Sequence, residues 1–128
     1  MTITEYLNTV KERLLTDEVV SSFHVLRERS TTMDGYLRVR LTLSDTSQLE
    51  FSEYIQRSAE GEIGVVTYSY HWADASGNLI RRWDNTSHHP GLSGFPHHVH
   101  VEQEDAVSSS QAVSIFAVLD EVIHLLTS

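Results

Sequence analysis

The sequence predicts an α+β fold: a single antiparallel β-meander of about five strands, with an N-terminal and a C-terminal helix packed on one face. Three observations predict it. Apolar residues recur with a helical period at each end of the chain, they alternate with polar ones through the middle, and turn residues separate the alternating stretches. The 128 residues fit one domain, 1–128, with no internal repeat and no Pro/Gly-rich linker to divide it.

The first helix is expected from Ile3 to Leu15, where Ile3, Tyr6, Leu7, Val10 and Leu14 form one stripe and Lys11, Glu12 and Arg13 lie off it. Val19 to Arg29 reads as the first strand. Leu37, Val39, Leu41 and Leu43 then alternate with Tyr36, Arg38, Arg40 and Thr42. Ser44-Asp45-Thr46-Ser47 is a turn, and Leu49, Phe51, Glu53 and Ile55 resume the alternation, which makes a hairpin. Ile63 to Trp72 is the fourth strand. Asp74-Ala75-Ser76-Gly77 turns the chain into the fifth, Asn78 to Trp83. Thr86 to Pro96 holds both prolines and reads as a loop. Ser108–Ser110 offers an N-cap for the last helix, whose stripe is Val113, Phe116, Ala117, Ile123 and Leu126. The two helices need one apolar surface, so the opposite sheet face is left to Tyr36, Arg38 and Arg40.

Composition narrows the function. Nine Lys+Arg against eighteen Asp+Glu give a net charge of −9, which argues against a general nucleic-acid coat protein but not against a local basic site. The absence of cysteine excludes disulfides, thiolate metal sites and cysteine nucleophiles. The N-terminal residues lack a signal-peptide pattern and no apolar run is long enough for a membrane span, so a cytoplasmic protein without membrane contact is expected.

Five of the eight histidines, His88, His89, His97, His98 and His100, fall within thirteen residues. Imidazole exchanges protons near neutral pH, so two histidines and an arginine suffice for phosphodiester cleavage without a metal. In that reading Arg82 stabilises the anion, Asp84 orients an imidazole, and base and acid come from the five histidines. A second reading makes the same segment a metal-binding enzyme. Extended chain after Pro96 would put His98, His100 and Glu102 on one face, a three-ligand set for a divalent transition metal such as zinc, iron or nickel. A third treats the histidine loop as structural, in a non-catalytic interaction module.

Tyr68, Tyr70 and Trp72 recur every second residue. They read either as sheet packing or as a surface on which a base stacks. Glu53 falls on the apolar parity of its strand, where a carboxylate needs a partner; an arginine or a strand bulge would each account for it.

Glu53-Tyr54, Tyr68-Ser69-Tyr70-His71-Trp72, and Arg82-Trp83-Asp84-Asn85 followed by His88-His89-Pro90 and Phe95-Pro96-His97-His98-Val99-His100 together resemble the TumE family of bacterial toxin–antitoxin proteins. The resemblance runs from about Leu14 to Leu126, and departs where Val99 replaces a lysine and Thr86-Ser87 replaces alanine-proline. It implies a cytoplasmic toxin of a type II system, silenced by a helix-turn-helix antitoxin. Joined to the histidine chemistry, it suggests a ribonuclease-like hydrolase needing no cofactor, with RNA bound by Arg38, Arg40, Tyr68, Tyr70 and Trp72.

Overall fold

The computed structural model describes residues 1–85, 98–101, 107–109 and 114–127. Helix α1 (Ile3–Thr16) leads into strands β1 (Val20–Ser30), β2 (Asp34–Leu43), β3 (Gln48–Arg57), β4 (Ile63–Ala73) and β5 (Leu79–Asp84). Two short strands, β6 (His98–Val101) and β7 (Val107–Ser109), precede helix α2 (Ile115–Thr127). All seven strands pair in chain order in one antiparallel sheet, β1-β2-β3-β4-β5-β6-β7. The five-strand meander is therefore present, and β6 and β7 extend it.

Local chemistry accounts for the elements. Thr2 and Glu5 close a capping box at the start of α1, each side chain accepting the other's backbone N–H. Ile3, Leu7, Val10 and Leu14 of its stripe are buried. The β2–β3 turn places Thr46 in the left-handed region (φ 74°), with Asp45 Oδ1 accepting from both the amide and the hydroxyl of Ser47. Gly77 adopts φ 88° in the β4–β5 turn, where Asp74 accepts from the amides of Ser76 and Asn78.

Both helices cover the sheet face that carries Leu37, Val39, Leu41, Leu49, Phe51, Ile55, Tyr70, Trp72 and Trp83. The last helix differs from its expected form. Its cap is Ser114, whose carbonyl accepts from Val118 and whose hydroxyl accepts from Ala117, while Ser108 is a residue of β7. Its buried residues are Ile115, Val118, Leu119 and Val122; Ala117 is exposed and Ile123 half-buried. Phe116 and Leu126 of the expected stripe are half-buried against the core, and Val113 lies outside the described residues. Glu53 Oε2 accepts the Ile115 amide at 3.0 Å, tying the first turn to the sheet.

Glu53 itself is 1% exposed. Among the described residues no arginine pairs with it, and the irregularity nearby leaves Val66 of β4 unmatched beyond Tyr54 without changing the alternation of β3. The Tyr6 and Tyr70 hydroxyls donate to its two oxygens at 2.6 Å each, so α1, β3, β4 and α2 meet at one carboxylate. Burial, and then the charge of Glu53, push both phenols far above their ordinary range.

Candidate functional site on the far face of the sheet

The sheet face turned away from the helices is polar and basic. Register places Arg27, Arg29, Arg38, Arg40 and Arg82 there, five of the nine lysines and arginines. Arg27 stacks over the Tyr36 ring, 5.7 Å from its centroid, which fixes the side it occupies. The positive charge of an acidic chain is thus gathered on one surface.

Two cross-strand rows organise this face. In the first, His24, Arg40, Glu50, His71, Arg82 and His100 are successive register partners from β1 to β6. In the second the partners are Arg38, Ser52, Ser69, Asp84 and His98. A cavity of about 350 Å³ opens between the rows, lined among others by Arg38, Glu50, Ser52, Ser69, His71 and Arg82.

One irregularity decides which arginine joins this site. Ala73 pairs with Leu79, but Trp72 pairs with Arg81, leaving Ile80 unmatched. The extra residue shifts the ladder by one. Arg82 consequently comes opposite His71, while Arg81 turns to the helix side, over the Trp83 ring (5.8 Å) and hydrogen-bonded to Glu121 of α2.

The charges are paired within the face. Arg38 donates to Glu50 Oε2, and Arg40 donates through Nε (3.0 Å) and Nη2 (2.8 Å) to Glu50 Oε1. The two arginine side chains remain 48% and 53% exposed, against 26% for the carboxylate. Burial disfavours the Glu50 charge, but the two guanidinium groups outweigh it and hold the carboxyl below its ordinary range. Arg82 Nε lies 3.1 Å from Asp84 Oδ2, and Asp84 is buried.

At the end of β5, the Asn85 side chain takes the place of a ladder residue. Its Oδ1 accepts from the Tyr68 amide at 2.9 Å, and its Nδ2 donates to the Val66 carbonyl at 2.8 Å. This anchors the chain to β4 at the point where the histidine-rich segment begins.

Of the expected site residues, Arg38, Arg40, Arg82 and Asp84 come together on this face. His98 and His100 enter the same two rows by backbone register, which makes the stretch after Pro96 extended where it is described. His88, His89, His97 and Glu102 lie outside the described residues. Among the described residues no group of three His, Asp or Glu side chains is close enough to share a metal.

Tyr68, Tyr70 and Trp72 are corrected. They are 2%, 0% and 3% exposed on the helix-covered side, so they do not form a surface for a base. Tyr68 and Tyr70 stack on each other at 5.2 Å, and Trp72 donates its indole N–H to Ser47 Oγ at 2.8 Å. They build the core instead. Sequence reasoning passed over His71 and Glu50 as site residues. His71 is the polar residue between Tyr70 and Trp72, and that alternation was the available signal.

The arrangement can bind an anion between Arg38 and Arg82 and present an imidazole to it. No helix among the described residues is long and apolar enough to cross a membrane. No curated protein and no solved structure matches the chain. A family model described as Toxin TumE matches residues 10–128. That span takes in every strand of the sheet and both rows of its polar face, and the chain belongs to the Toxin TumE family.

Proposed function

We propose that the chain is the toxin of a type II toxin–antitoxin pair and cleaves RNA in the cytoplasm by histidine acid–base chemistry on the far face of its sheet. Membership of a toxin family implies an antitoxin partner. We assign that partner the helix-turn-helix type and the role of covering this face.

The observation that carries the reading is the register run His71, Arg82, His100, beside Asp84 and His98, at a cavity edged by Arg38. In the reaction one imidazole takes the proton of a ribose 2′-hydroxyl, and the oxygen attacks the adjacent phosphorus. The 5′-oxygen leaves with a proton from a second, protonated imidazole, giving a 2′,3′-cyclic phosphate and a free 5′-hydroxyl. Arg82 and Arg38 stabilise the charge of the five-coordinate phosphorus, and Asp84 orients an imidazole. Base and acid are drawn from His71, His88, His89, His97, His98 and His100. The gathering of arginines on one face answers the net charge of −9, because a strand of RNA meets the local field and not the average.

The test is expression from a tightly controlled promoter, with growth and RNA integrity followed for the wild type and for His71→Ala, His98→Ala and His100→Ala. The wild type slows growth and degrades RNA, and at least two of the variants lose about 10²-fold or more of the cleavage rate. A wild type that does neither removes the reading. Cleavage that survives EDTA supports the metal-free version over a metal site built on His98, His100 and Glu102. A wild type without cleavage, whose histidine variants lose only stability, would point to an interaction module.

A further inference from the structure

Glu50 stands where two cavities of the far face meet. One is the cavity described above. The other, of about 270 Å³, is lined among others by Arg40, Gln48, Glu50, His71 and Gly77. Glu50 and His71 belong to both. Arg38 and Arg40 are two residues apart on β2, so their backbones are about 6.8 Å apart. One carboxylate draws both inward, one oxygen to each guanidinium.

Such a clamp contributes little to stability, since both arginines are about half exposed. Its effect on binding is larger. Guanidinium groups grip the paired oxygens of a carboxylate and of a phosphate in the same way, so any phosphate that enters must compete with Glu50 for the same donors. We propose that Glu50 is an internal anion occupying the place of substrate phosphate. Displacing it opens both cavities to a single-stranded chain of at least two successive phosphates, one held by Arg38 and Arg82 and the next by Arg40. The inference rests on the RNA reading above and adds the form of the substrate: an oligonucleotide strand, because a mononucleotide fills one cavity and leaves the Arg40–Glu50 pair closed.

The probe is a fluorescent 2′-O-methyl RNA octamer, which lacks the attacking hydroxyl. Its binding is measured by anisotropy between about 50 and 200 mM salt. Glu50→Gln keeps the shape and removes the charge. Removing one competing negative charge beside those phosphates steepens the plot of log affinity against log salt by about 0.7. The affinity itself rises roughly tenfold. Glu62→Gln, an exposed site in the β3–β4 turn, makes the same change in net charge and shifts affinity less than twofold. Arg40→Gln, at an exposed side chain, lowers the octamer slope by about 0.7 and weakens octamer binding more than adenosine monophosphate binding.

An unchanged slope in Glu50→Gln, or weaker binding, overturns the inference. If the wild type still cleaves RNA in that case, the proposed function stands and this inference alone falls. A wild type that binds no octamer at the lowest salt defeats both.

Discussion

The Tyr70 hydroxyl donates to Glu53 Oε2 at 2.6 Å, and that same oxygen receives the first amide of α2 from Ile115 at 3.0 Å. A strand side chain thus fixes where the C-terminal helix begins, with Tyr6 of α1 on the other carboxylate oxygen. Glu53→Ala leaves two hydroxyls and an amide without an acceptor, at about 1–3 kcal/mol each where buried. The expected loss is about 3–5 kcal/mol of unfolding free energy in urea titration. Glu53→Gln retains one acceptor oxygen and loses less. Tyr70→Phe loses about 1.5–3 kcal/mol, the range for a hydrogen bond to a charged group. A loss below 1 kcal/mol in Glu53→Ala would show that the helices hold their places without it.

The same network sets a response to alkali. Tyr6 and Tyr70 keep their protons in the folded protein because burial, and then the Glu53 charge, raise both phenols far above their ordinary range. Unfolded tyrosine ionises near pH 10. Above that pH the unfolded state binds fewer protons than the folded one, so stability is whole below about pH 10 and falls as pH rises beyond it. The urea midpoint should drop between about pH 9.5 and 11.5, and drop less steeply in Tyr70→Phe, which has one such group fewer. Parallel curves for the two proteins would contradict the assignment.

Gly35 is a packing constraint beside the same network, opposite Ile55 and two residues along β2 from the partner of Glu53. A Cβ there would lie 2.7 Å from Ile3 Cγ2 and 3.1 Å from the Arg29 carbonyl oxygen. Ile3 is buried in the first turn of α1, so its methyl has little room to withdraw. Gly35→Ala should cost about 1–3 kcal/mol, as overpacking does. The double variant with Ile3→Ala should cost less than the sum of the two single changes. Strict additivity would place the strain at the Arg29 carbonyl instead.

How far the fold could be read from sequence depended on the range of the interaction. The β2–β3 pairing follows from its own turn: Leu43 donates to the Ser47 carbonyl, and Thr42 opposite Gln48 continues the ladder without a shift to Asp34 opposite Gln56. Alternation alone therefore placed Arg38 and Arg40 on the far face. The β4–β5 pairing does not follow from its turn. Extending the Ala73–Leu79 pair unchanged would set Arg81 opposite His71; the unmatched Ile80 sets Arg82 there and sends Trp83 into the core. A one-residue bulge leaves no local mark in composition or period, so the union of His71 with Arg82 was not legible. The role of Glu53 was half legible. Its parity marked it as a buried carboxylate, but its partners lie 47, 17 and 62 residues away, where no local pattern reaches.

Trp72 separates core packing from nucleic-acid contact. Its indole N–H donates to Ser47 Oγ in a buried bond that ties β4 to the β2–β3 turn. Trp72→Phe removes that bond and some volume, for an expected loss of about 1–3 kcal/mol. Affinity for the RNA octamer should stay within twofold, because the ring is 3% exposed and on the helix side. A tenfold loss of affinity with unchanged stability would restore the stacking reading.

Arg38 and Arg40 test whether substrate and antitoxin share the far face. Both side chains are about half exposed and flank Glu50, so reversing them to glutamate puts three carboxylates side by side on β2 and β3. The fold tolerates the change at these exposed positions, with a stability loss within about 1 kcal/mol. Binding does not. Each reversal removes a phosphate contact and adds a repulsive charge, so octamer affinity should fall at least tenfold for the pair and its salt dependence should flatten by about 1.4. An antitoxin that silences the toxin by occlusion would cover an ordinary interface of about 1,600 Å², which centred here includes both arginines. Its association should slow and its salt dependence weaken in the same variant, since charges at an interface act chiefly on the rate of encounter. Calorimetry and stopped-flow mixing with the purified antitoxin would measure both. Loss of RNA binding with the antitoxin unaffected would place the antitoxin on another surface and make inhibition indirect, whereas loss of neither would move the working site off this face altogether.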